Sequence, residues 1–106
     1  MYTQIRKYHS LRGGRTATQV ARDIEKTGFA RFAQIPGFVE YLVVELNDGG
    51  LLTLSVYEDQ SGVEAGKKAS ADWNKTESAG SLPETPDETF EGHVSIHHRA
   101  MEKEVV

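Results

Sequence analysis

The stretch Phe38–Asp59, FVEYLVVELNDGGLLTLSVYED, holds two apolar, β-prone runs, Phe38 to Leu46 and Leu51 to Asp59. Between them stands Asn47-Asp48-Gly49-Gly50, four residues that tolerate the positive φ of a tight turn, so the stretch reads as a β-hairpin. Upstream, Tyr2 to His9 mixes β-branched, aromatic and long polar residues without a helical stripe and reads as a strand ending in the loop Leu11-Arg12-Gly13-Gly14. Thr16 followed by Gln19 forms a capping box, and Ala17, Val20, Ala21 and Ile24 repeat at helical spacing, which predicts a helix from about Thr16 to Thr27 with Gly28 as its stop. Phe29, Phe32 and Ile35 then predict a short helical turn before Pro36-Gly37.

Downstream, Ser61 with Glu64 reads as a second capping box, and Val63, Gly66, Ala69, Ser70 and Trp73 mark one face of a helix reaching to Gly80. Ser81 to Glu88 holds two prolines and three acids and reads as an exposed connection. His93 to Arg99 alternates and reads as the fourth strand. The order β-α-β-β-α-β predicts an α+β, ferredoxin-like fold, a four-stranded antiparallel sheet with both helices on one face. At 106 residues the chain suits a single domain, and folding should bury roughly two thirds of the unfolded surface.

The faces of the sheet follow from apolar character. Leu52, Leu54, Val56 and Ile5 are assigned to the helices, and Tyr2, Gln4, Arg6, Tyr8, Leu51, Thr53, Ser55 and Tyr57 to the open side. An open face so rich in aromatics calls for a second sheet against it, so a homodimer is expected.

Composition narrows the function. There is no Cys, hence no disulfide, thiolate metal site or Cys nucleophile. No segment approaches the ~20 apolar residues of a membrane span, and a soluble, cytoplasmic protein is expected. The net charge of −4 divides into +5 over residues 1–35 and −9 over the rest, without the basic stripe interleaved with aromatics that nucleic acid requires, so no nucleic-acid partner is expected. His93 and His97 would lie ~13 Å apart along a strand and His97 and His98 on opposite faces, so neither pair makes a metal site. Arg6, Tyr8, Tyr57 and His97 share the predicted open face. They suit either an anionic or phenolic ligand or a dimer interface, where Tyr and Arg are enriched.

Ile35-Pro36-Gly37-Phe38-Val39-Glu40-Tyr41, the hairpin to Val56-Tyr57-Glu58-Asp59, and Ala71-Asp72-Trp73 on the second helix resemble the dimeric α/β-barrel superfamily, in particular its antibiotic-biosynthesis-monooxygenase-like group. The resemblance spans roughly Tyr2 to Trp73 and reaches the last strand by topology alone. It implies a pocket between sheet and helices and a Trp lining it at Trp73, although a core anchor with its indole N–H on a nearby acceptor fits Trp73 as well. Haem-degrading members carry an Asn on the first strand and a His shortly after the Trp. Here Gln4 stands on the first strand and no His follows Trp73 before His93, which disfavours haem.

The candidate catalytic residues are therefore Trp73 and His98, the latter expected on the helix-facing side with Trp73 as a general base whose free pKa lies near neutrality, and the candidate substrate-binding residues are Arg6, Tyr41 and Tyr57. No cofactor or metal is expected. The expected function is a cofactor-independent monooxygenase acting on a small aromatic substrate; the alternative is a non-catalytic dimer that binds a small aromatic or anionic ligand or assists another enzyme.

Overall fold

The structure is a computed structural model and describes residues 1–76, 82–83 and 85–98. Its sheet consists of β1 (Tyr2–Tyr8), β2 (Phe38–Glu45), β3 (Leu51–Tyr57) and β4 (Glu88–His93), all antiparallel, in the order β2-β3-β1-β4. The helical layer consists of α1 (Ala17–Asp23), a π-helical turn Ile24–Gly28, α2 (Phe29–Ala33) and α3 (Gln60–Thr76). This is the expected ferredoxin-like α+β fold. Two buried clusters fill the space between the layers. One joins Tyr8, Val20, Ile24, Leu51, Trp73 and Leu82; the other joins Phe32, Tyr57 and Val63.

The local signals act where backbone donors need partners. Thr16 and Gln19 close the capping box reciprocally, at 3.2 and 2.9 Å. The hairpin closes through Leu46 N to Gly50 O at 2.9 Å, with Gly49 at φ +92°. The cap of α3 is not Ser61 but Asp59, whose carboxylate accepts from the Ser61 and Gly62 N–H groups and from the Ser61 hydroxyl. Those hydrogen bonds, the Ser61 hydroxyl first, hold the Asp59 pKa below its usual value.

Gly28 is not a stop. Right-handed helical backbone continues through it into α2, and its missing side chain admits Trp73, whose Cε2 would lie 3.3 Å from a Cβ there. The predicted helix end at Gly80 lies outside the described residues. The fourth strand sits earlier than expected, at Glu88–His93, and opens inside what reads as a loop. Strand pairing decides this: Glu88 to His93 find partners along Lys7 to Tyr2, whereas beyond the β1 terminus only Val94 N, bonded to Met1 O, still meets the sheet's backbone. The rest of the expected strand, to His98, runs without strand pairing, and Arg99 lies outside the described residues.

The largest correction concerns the faces. Gln4, Arg6, Tyr8, Leu51, Thr53, Ser55 and Tyr57 point toward the helices, and Ile5, Leu52, Leu54 and Val56 lie on the open side. Tyr57 proves the orientation, since its ring lies directly under Gly62 and Gly66 of α3. Tyr41 and Val43 join the helix-facing set through their partners Ser55 and Thr53, while Leu42 and Val44 join the open set. No helix among the described residues is long and apolar enough to cross a membrane.

Candidate functional site

The side chains of β1 and β3 that alternate toward the helices make an interior floor that is polar and aromatic rather than aliphatic. Arg6 stands at its centre, paired across the strands with Thr53 and Thr89 and flanked along β1 by Gln4 and Tyr8. It is only 8% exposed and has no carboxylate partner among the described residues. Two more buried polar atoms there, Gln4 Oε1 and the Tyr57 hydroxyl, make no hydrogen bond. Buried polar groups are as a rule paired, so these atoms carry a desolvation cost that the described residues do not offset.

Three phenols surround Arg6. Burial raises the pKa of Tyr8, Tyr41 and Tyr57, with Arg6 opposing the shift at each and the Ser55 side chain also opposing it at Tyr57. All three are protonated donors at neutral pH, gathered around one cation. Tyr41 is oriented by a ring stack on Phe32, centroids 4.7 Å apart.

Two cavities lie between sheet and helices, the smaller opening onto Arg6 and Tyr8 of this floor and the larger onto Tyr41 and Val43 of the neighbouring β2. The larger, about 580 Å³, lies between the first helical segment and β2, with Thr18, Ala21, Arg22, Ile24, Glu25 and Phe29 on one wall and Tyr41, Val43 and Glu45 on the other. The smaller, about 100 Å³, lies between β1 and α3, with Arg6 and Tyr8 below, Lys67, Ser70, Ala71 and Asn74 above, and Leu82, Pro83 and Pro86 closing its side. Lys67 is paired at 2.8 Å with Glu91, which stands opposite Gln4.

The structure thus brings together Arg6, Tyr41 and Tyr57 of the expected site and adds Tyr8, Gln4, Lys67 and Ser70. It does not bring His98 to them: the expected strand ends before it, and His98 is exposed with no contact to Trp73. Trp73 is 3% exposed in the core, its indole N–H donating to Thr27 Oγ1 at 2.7 Å, and it lines neither of these cavities. His97 pairs instead with Glu40, 3.4 Å away on the open face. Among the described residues no cluster of three or more His, Asp or Glu converges as metal ligands would. Gln4, Lys67 and Ser70 escape sequence reasoning because only the correct face assignment puts them in one space.

Sheet and helices define a small α+β protein with a cavity of small-molecule size between its first helical segment and β2. No protein-family model matches the sequence and no curated protein matches it. Solved structures do match. A candidate antibiotic biosynthesis monooxygenase from Chloroflexus aurantiacus superposes with TM-score 0.64 at 17% identity, over 92% of this chain and 96% of that one. A protein of unknown function from Nitrosomonas europaea superposes with TM-score 0.70 at 11% identity, over 95% of both chains. SnoaB, a cofactor-independent oxygenase from Streptomyces nogalater, superposes with TM-score 0.58 at 17% identity, over 95% of this chain and 97% of that one. The fold is that of the antibiotic-biosynthesis-monooxygenase-like proteins.

Proposed function

We propose that this chain binds a small aromatic molecule between its sheet and its helices and oxygenates it without a cofactor. One observation carries the reading: a buried guanidinium with no carboxylate partner among the described residues, ringed by three protonated phenols and by two buried polar atoms that lack hydrogen bonds. A hydroxylated aromatic ring fits the larger cavity, where its hydroxyls would pair with the Tyr41 hydroxyl. Its phenolate would lie in the field of Arg6, which acts on Tyr41 and lowers the pKa of a neighbouring acid. The anion is the form that gives electrons to oxygen. For an aromatic diol the balance closes on substrate and O₂ alone: one oxygen atom replaces a ring hydrogen, the other leaves as water, and a hydroxyquinone remains. The substrate supplies all four electrons. Likeness of fold to SnoaB supports the reaction class.

The test is oxygen uptake with 1,4-naphthohydroquinone under labelled O₂. One labelled atom in the product quinone, with uptake reduced at least about tenfold in Arg6→Gln, is the expected outcome; a tenfold loss corresponds to ~1.4 kcal/mol of transition-state stabilisation. Binding of the quinol without uptake above the uncatalysed rate would replace this reading with that of a non-catalytic ligand-binding protein.

A further inference from the structure

We propose that the cavity between β1 and α3 is a carboxylate site, and that the ligand of this protein is an organic acid held there through Arg6. The proposal rests on the preceding reading only in placing the ligand between sheet and helices.

Three features point to an acid. The first is charge: Arg6 is more than nine-tenths buried, and among the described residues no carboxylate neutralises it. The other cation of the cavity, Lys67, is already paired with Glu91 at 2.8 Å and Glu64 at 3.4 Å, so the uncompensated charge belongs to Arg6. Taking a guanidinium out of water without a counter-charge is costly, and a carboxylate bound in its plane through two parallel hydrogen bonds removes that cost.

The second feature is size. A cavity of about 100 Å³ holds about three waters at ~30 Å³ each, whereas an engineered cavity that accepts benzene measures ~150 Å³. The space therefore takes an acid group and not an aromatic ring, which stays outside it. The third is the lining. Besides Arg6 the cavity is lined by Ser70, whose hydroxyl is a second donor for an oxyanion, and by the apolar flank of Pro83 and Pro86.

Calorimetric titration of the whole chain with 2-naphthoate and with 2-naphthamide, its neutral isostere, tests the proposal. The acid is expected to bind about 10- to 100-fold more tightly than the amide, and Arg6→Gln to erase the difference. Arg6→Gln is also expected to raise the thermal midpoint of the ligand-free protein by a few degrees, because it removes an unpaired buried charge; a residue serving only the fold would lower it. Equal affinity for acid and amide overturns the proposal without reference to any variant. So does acetate or phosphate binding as tightly as naphthoate, which would make this a site for a free oxyanion. Naphthoate binding through Arg6 with no oxygen uptake by any quinol sustains the acid site while removing the oxygenase reading. Oxygenation of a neutral quinol with no preference for acids does the reverse.

Discussion

Trp73 shows how one side chain's surroundings decide what its loss would mean. Its indole N–H donates to Thr27 Oγ1 in the π-helical turn, which in turn donates to the Asp23 carbonyl at 3.2 Å, so a core side chain is tied to the backbone at the end of α1. Trp73→Phe removes one ring and one buried hydrogen bond and is expected to cost about 2 kcal/mol in urea unfolding, with quinol turnover per folded molecule unchanged. A turnover loss larger than the loss of folded protein would return Trp73 to the site. The tyrosines carry a second prediction. In the unfolded chain a phenol ionises near the ordinary value of 10.0, whereas burial raises the folded values of Tyr8, Tyr41 and Tyr57. Folding thus favours their protonated forms. The stability tied to them is fully present below pH 10 and falls as pH climbs beyond it, because the unfolded chain releases those protons first. Phenolate absorption from these three residues should therefore rise together with loss of far-ultraviolet helicity, not before it. Ionisation near pH 10 with the helices intact would show that the three rings are wet.

The bare face of α3 is what lets the sheet carry such large interior side chains. A Cβ at Gly62 would stand 2.6–2.7 Å from Cβ, Cγ and Cδ1 of Tyr57, and one at Gly66 would overlap the Tyr57 hydroxyl and come within 2.8 Å of Cζ. Either alanine is expected to destabilise by ~1–3 kcal/mol through overpacking. Tyr57→Phe should recover part of the Gly66→Ala loss and none of the Gly62→Ala loss, since only the former clash involves the hydroxyl. Urea unfolding of the two double variants checks this, and equal rescue would mean that the helix shifts as a unit. Elements of this kind were legible in the sequence where the physics is local: Thr16 with Gln19, the Asn47–Gly50 turn and the glycine-lined helix need only near neighbours. The faces of β1 and β3 were not. Leu52, Leu54 and Val56 are greasier than Leu51, Thr53, Ser55 and Tyr57, and greasiness identifies the inner face only when the helices supply all the burial a strand receives. Here the floor under the helices holds the buried polar side chains of Gln4, Arg6, Thr53 and Ser55. The expected site shares that fate: the chemistry of Arg6 and Tyr57 is legible but the side they face is not, and His98 stands five residues beyond the end of the strand expected to hold it beside Trp73. In β4, Phe90 is the only large apolar side chain, too little for an alternation to be read.

Turning the faces over strengthens the case for a paired molecule. The open face now displays Ile5, Leu42, Val44, Leu52, Leu54 and Phe90, with Leu42 50% and Phe90 53% exposed. Leu54 sits at its centre, opposite Ile5 on one side and Leu42 on the other. A contiguous apolar sheet surface is rarely left to water. At one end the chain's own residues 94–98 reach over it, tied by Val94 N to Met1 O at 2.8 Å and by His97 to Glu40 at 3.4 Å, near the buried Val56. The described residues leave the stretch around Leu42, Leu54 and Phe90 uncovered, and two-fold pairing with a second copy is expected to bury it. The chain is therefore expected to be a dimer by light scattering at micromolar concentration. Leu54→Lys is expected to yield a folded monomer, because the ammonium can reach water in one copy but is buried without a partner between two. Leu51, three residues earlier on the same strand, points into the core, and Leu51→Lys is expected to abolish folding altogether. The contrast separates the two faces: a wild-type monomer would leave the apolar surface unexplained by pairing, and a Leu54→Lys variant that unfolds as Leu51→Lys does would place Leu54 inside.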